Sequence, residues 1–140
     1  MVRLIFGVIA GFFAWAIVWV GSEQALSAIW PAWYGAHQTA FTAAIKGGGP
    51  FTADAGVLVI HIVSAVVVSA IAGFLAALIA RDKRAPVALG VLLTAFAVLK
   101  AVMSWPYVPV WYHVLFTVLL MPMTVLGGKL TPAAAPANGN

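Results

Sequence analysis

Four ionisable residues sit where an otherwise oily chain gives them little water: Glu23, His61, Lys100 and His113. The stretch Leu99–Phe116, LKAVMSWPYVPVWYHVLF, holds two of them on either side of an aromatic, proline-broken turn. Ionisable groups inside a bilayer are costly and mark functional candidates. Two imidazoles and an ammonium permit three chemistries. Facing imidazoles at one depth are the axial ligands of a haem. With a third ligand they hold a metal, and Glu23 is the nearest candidate. With Lys100 supplying charge they line a pocket for a polar or anionic small molecule, and histidine titration near neutral pH would suit a proton-linked carrier. Each has a structural counterpart. Lys100 can snorkel its ammonium to the interface along its own stem, a Lys100–Glu23 pair would be structural, and a single buried histidine is commonly a neutral hydrogen-bonding group.

The elements that carry these residues follow from composition. Of 140 residues, 64% are apolar and 7% charged. Soluble domains carry about 25% charged residues, so there is too little polar surface to cover a globule in water. The net charge of +4 is too sparse for a nucleic-acid face, and no nucleic-acid partner is expected. With no cysteine, thiolate metal sites and thiol nucleophiles are excluded.

Four apolar segments reach the roughly 20 residues needed to cross a bilayer: about 4–26, 55–80, 86–104 and 108–126. Unpaired backbone cannot face lipid, and four such segments cannot close a barrel, so the fold class is all-α, a transmembrane four-helix bundle. Arg3, the RDKR turn (Arg81 to Arg84) and Lys129 fall on one side of a four-span chain. The positive-inside rule makes that side cytoplasmic, N-in and C-in. Trp30 to Tyr34 and Trp105 to Tyr112 collect at the other interface. The first segment is longer than a signal core and holds Trp15 and Trp19, so it is expected to stay as a span. Residues 30–54 form an outer loop. Within it Ala36–Ile45 has helical spacing and is read as a short helix lying on the membrane, ended by Gly47 to Pro50. The tail 131–140 has nothing to bury and is expected to be disordered.

Helices associate in lipid through small residues. Projected at about 100° per residue, the first span aligns Gly7, Gly11, Ala14, Gly21 and Ala25. The second aligns Ala65, Ser69, Ala72, Ala76 and Ala80, with Gly73 at its edge. The third aligns Gly90, Thr94, Ala97 and Ala101, and the fourth Thr117, Thr124, Gly127 and Gly128. Gly7, Gly11, Ser69, Gly73 and Gly90 are the expected packing positions. His61 lies one turn before Ala65 and His113 one turn before Thr117, so both are expected to point inward at similar depth. Lys100 falls at the flank of its small face. Glu23 falls nearly opposite the glycine stripe and would join only through a bend at Gly21. Pro122 is expected to kink the last span.

HIVSAVVVSAIAGFLAALIARDKR, then Ala88–Gly90, PYVPVW and MPMTVLGGKL resemble a family of small four-span bacterial membrane proteins of unassigned function; GVIAGFF in the first span also fits. The resemblance covers about residues 2–130, apart from the outer loop. It implies an uncleaved four-span bundle in a bacterial inner membrane, and no activity. His61 matches a histidine that similar sequences carry, whereas Lys100 stands where they hold a polar amide. No nucleophile–base pair or carboxylate pair is visible, so an enzyme is not expected. Short spans with small-residue faces suggest association, with a second copy or as an accessory subunit of a larger membrane complex. The alternative is a small-molecule or haem site built on His61, His113 and Lys100; the cofactor is unknown.

Overall fold

The computed structural model describes residues 1–132; the end of the tail, from 133, lies outside the described residues. The order is α1 (Val2–Ile29), a wide π-type turn (Pro31–Gly35), α2 (Ala36–Gly47), α3 (Ala55–Ala80), α4 (Arg84–Ser104) and α5 (Val110–Lys129). Among these residues there is no strand. α1, α3, α4 and α5 are long and apolar enough to cross a membrane.

Local chemistry sets the boundaries. α1 runs three residues beyond Leu26 because nothing resists helix before Pro31. Gly48 closes α2 in the left-handed conformation (φ 67°), its N–H donating to the Ala44 carbonyl. Asp54 caps α3 by accepting from the Val57 N–H at 3.0 Å. Arg81 ends α3 at φ 53°, where a glycine is usual. Pro86 lies in the first turn of α4, where its missing N–H forfeits no helical bond. α5 begins two residues later than 108, after the extended Pro109, and runs unbroken through Pro122 to Lys129.

The four spans pack with α3 as the hub, touching α1, α4 and α5. Lipid tails are as apolar as leucine, so contact between helices depends on fit. The glycines supply it. A Cβ on Gly7 would lie 2.6 Å from the Ala80 Cβ, and one on Gly11 2.9 Å from the Ala76 Cβ. A Cβ on Gly73 would lie 1.9 Å from the Thr124 carbonyl oxygen, and one on Gly127 1.9 Å from that of Ala70. Gly90 meets Met121, and Gly128 meets Pro86. Ser69 is fully buried and accepts from the Trp15 indole N–H at 3.2 Å. All five expected packing positions are thus buried inside the chain's own bundle. On α1, Gly21 and Ala25 of the expected stripe are exposed instead, and Trp15 takes the inward position.

These contacts also fix direction. Gly7 against Ala80, Trp15 against Ser69 and Glu23 against His61 make α1 antiparallel to α3. Gly73 against Thr124 and His61 against Tyr112 make α3 parallel to α5. Arg3, the Arg81–Arg84 turn and Lys129 therefore gather at one end of the bundle, and α2 lies at the other. Ile5, Phe13, Ile17, Val63, Val67, Val114 and Val118 face outward, the coat a lipid solvent requires.

Candidate functional site

Under α2 the helices leave a cavity of about 430 Å³. Its floor is aromatic. Trp15 and Trp19 stack at 5.5 Å between ring centroids, the Phe96 ring meets Trp15 edge-on at 6.1 Å, and Phe116 does the same to Trp19 at 5.6 Å. Below this layer α1 and α4 touch, with a Cβ on Gly11 falling 2.6 Å from a Leu89 methyl. Above it Val20 of α1 and Lys100 of α4 line the cavity and are exposed to the surroundings, as is Phe96.

The polar wall centres on Glu23. His61 Nε2 lies 3.1 Å from Glu23 Oε1, and the Tyr34 hydroxyl donates to the same oxygen at 2.5 Å. The Gln38 amide donates to Glu23 Oε2 and also lies 2.9 Å from His61 Nε2. One nitrogen cannot both donate and accept. Placing the imidazole proton on Nε2, toward the carboxylate, leaves Gln38 to serve Oε2 and frees His61 Nδ1 to face the Tyr112 hydroxyl at 3.5 Å. Three donors then converge on one carboxylate. Tyr34 is fully buried, and burial, then its bond to Glu23 and that group's negative charge, raise its phenol well above the usual range. It stays protonated and donates.

Glu23 corrects the sequence reading, which set it apart from the inward face. A fixed 100° projection treats the contact line as parallel to the helix axis. Here the contact follows the i, i+4 ridge through Gly7, Gly11, Trp15, Trp19 and Glu23, winding about 40° at each step. No bend at Gly21 is required.

A second cluster anchors the loop. The Trp33 indole donates to Asp54 Oδ2 at 3.2 Å, and the Asp54 backbone N–H donates to His37 Nε2 at 3.1 Å. The Val57 N–H and then Trp33 hold the Asp54 carboxyl below its ordinary value. Burial, then the neighbouring His61, lowers His37. Since His37 Nε2 accepts, a neutral ring carries its proton on Nδ1, and that buried atom has no partner.

His113 is 5% exposed and stacks on Trp105 at 5.3 Å and 12°. The Val108 backbone hydrogen-bonds to the ring, while Nε2 is buried without a partner. His61 and His113 both face inward as expected, yet they do not face one another: the Tyr112 ring lies against each, at 6.3 and 5.9 Å. Lys100 is exposed at the cavity edge and has no ion-pair partner among the described residues. Among those residues no three His, Asp or Glu side chains group closely enough to hold a metal ion.

Tyr34, His37, Gln38 and Tyr112 enter the site without having been singled out in the sequence. Three of them come from the outer loop 30–54, and two of these, His37 and Gln38, from the segment read as resting on the membrane. Their spacing, with Phe41, places them along one side of a short helix, which was the available signal. Comparison with family models, with curated proteins and with solved structures gives no match to this chain.

Proposed function

We propose that this chain is a membrane binding protein, not an enzyme, and that its cavity takes a small amphipathic molecule entering from the lipid between α1 and α4. The observation that carries this is the buried His113 Nε2, without a partner on the wall of a cavity of about 430 Å³. Buried polar atoms are nearly always satisfied, and an orphan implies a missing water or ligand. The volume falls within the roughly 300–1,000 Å³ of small-molecule sites. The lining is mostly aromatic and aliphatic, with polar groups converging at the α2 end, which suits an apolar body with a polar head.

A haem is a poorer occupant. Both ring nitrogens of His61 are engaged, and Tyr112 lies against both imidazoles. Association with a partner helix loses its original motive, because the small-residue stripes of α3 and α5 are occupied within the chain. The basic residues at one end favour cytoplasmic termini by the positive-inside rule, and on that reading the chain sits in a bacterial inner membrane with the cavity toward the outer leaflet.

The test uses the full chain in phosphatidylcholine nanodiscs, with bromodecanol as a quenching amphiphile. Trp15 and Trp19 line the cavity and report its occupancy. A quenching component that saturates with the mole fraction of probe, and disappears in the Trp15→Phe/Trp19→Phe variant, supports the reading. Quenching that only rises linearly, as partition into lipid gives, refutes it.

A further inference from the structure

The charges around the cavity define its ligand more narrowly, an inference that rests on the binding reading above. Glu23 is the carboxylate on the wall, and its oxygens already receive Tyr34, Gln38 and His61. It offers a ligand little unmet charge. Lys100 is the opposite case. It lines the cavity, is exposed, and has no carboxylate paired to it among the described residues. An unpaired cation beside a low-dielectric cavity attracts an anion more strongly than the same cation in water. His37 adds a second donor: Asp54 occupies its Nε2, and Nδ1, which carries the proton, is buried and unmet. Arg81, Lys83 and Arg84 lie at the far end of the bundle and cannot compete for the head.

We propose that the cavity selects amphipathic anions, a single acidic head on an alkyl chain, with Lys100 as the countercharge and His37 as a neutral donor. The chain would lie over Trp15, Phe96 and Phe116, below the polar end. The His113 Nε2 lone pair then receives a water that bridges to the head, since an imidazole acceptor does not bind an anionic oxygen directly. A cationic head would meet Lys100 repulsively. A neutral alcohol would fill the apolar part and leave Lys100 unmatched.

Three bromodecyl probes separate these cases: bromodecanoate, bromodecanol and bromodecyltrimethylammonium, each titrated by mole fraction into nanodiscs of zwitterionic lipid. The carboxylate is expected to saturate the Trp15 and Trp19 signal at about tenfold lower mole fraction than the alcohol, the worth of one charge-assisted contact. Lys100→Gln is expected to remove that advantage and leave the alcohol curve in place, while Lys100→Arg retains it. Lys100 is exposed, so these changes leave no hole in the bundle, and helix content by circular dichroism checks each variant. Bromodecyl phosphate and inorganic phosphate complete the set. Binding of the first alone keeps the amphiphile reading, whereas competition by inorganic phosphate at equal strength overturns it in favour of a free-anion site. Equal midpoints for alcohol and carboxylate, or tighter binding of the cation, overturn the anion inference while the cavity reading stands. No saturable component with any probe overturns both.

Discussion

The crossing of α3 and α5 is tight enough for one methyl group to test it. An ideal Cβ on Gly73 would sit 1.9 Å from the Thr124 carbonyl oxygen and 2.7 Å from its carbon. Ordinary contact begins at 3.4 Å, so the helices must part by about 1.5 Å to admit alanine. The obstacle is backbone, which cannot swing aside as a flexible side chain does. Overpacking costs about 1–3 kcal/mol, and Gly73→Ala belongs at the upper end, about 3 kcal/mol. Gly127→Ala meets the Ala70 carbonyl at the same 1.9 Å and should cost as much. Both glycines guard one crossing, so separation forced by the first substitution relieves the second. The double variant should cost about 4 kcal/mol, well short of the sum. Gly21→Ala is the control, because its Cβ enters open space and alanine favours helix by up to about 1 kcal/mol. Equilibrium unfolding in mixed dodecyl sulfate and mild-detergent micelles, followed by circular dichroism, reads all four variants. A Gly73→Ala cost under about 0.5 kcal/mol, or full additivity in the double variant, would refute the close crossing.

The Glu23–His61 contact should show coupling in a double-mutant cycle of Glu23→Gln and His61→Gln. Hydrogen bonds to charged groups are worth about 1.5–3 kcal/mol, and the partial exposure of both side chains, 19% and 10%, discounts this to about 1.5 kcal/mol. Additive losses in the same unfolding assay would mean that the two groups do not meet. Tyr34→Phe should destabilise by about 1–2 kcal/mol, since Glu23 loses a buried donor; an unchanged midpoint would count against that bond. The loop anchor should weaken in acid. Burial lowers the folded-state pKa of His37 below 6.5, so the unfolded chain binds more protons below that pH, and stability falls as pH drops from 6.5 through the lowered value. Protonation also removes the lone pair that accepts from the Asp54 N–H. Exchange of the Asp54 amide, corrected for its intrinsic rate, should therefore speed up between about pH 7 and pH 5, and His37→Gln should flatten that dependence. A pH-independent protection factor in the unmodified chain would contradict the anchor.

The spans were largely legible because length and apolarity suffice to find them, and Ala55–Ala80 coincides with its sequence boundary. The inward placement of His61 and His113 was legible for a related reason: both continue stripes of small residues whose crowding against neighbours follows from backbone approach alone. Glu23 was not legible, since its position depends on the winding of the α1–α3 contact, a property of two helices together. On the same line the bulky Trp15 occupies a place a small-residue rule assigns to Ala14. The loop helix was visible as a helix over Ala36–Ile45, and α2 covers it. Its role was not visible, because Gln38 reaching Glu23 is a contact across 15 residues that local periodicity does not encode.

The most direct measurement is the position of a heavy atom on the bound amphiphile. Crystals grown from a lipid phase and soaked with bromodecanoate should give an anomalous bromine peak between α1 and α4, against Trp15, Phe96 and Ala97, with the carboxylate toward Lys100. Bromine found only on the outer faces of Val63, Val67 or Val118, with water alone filling the space beside His113, would contradict it.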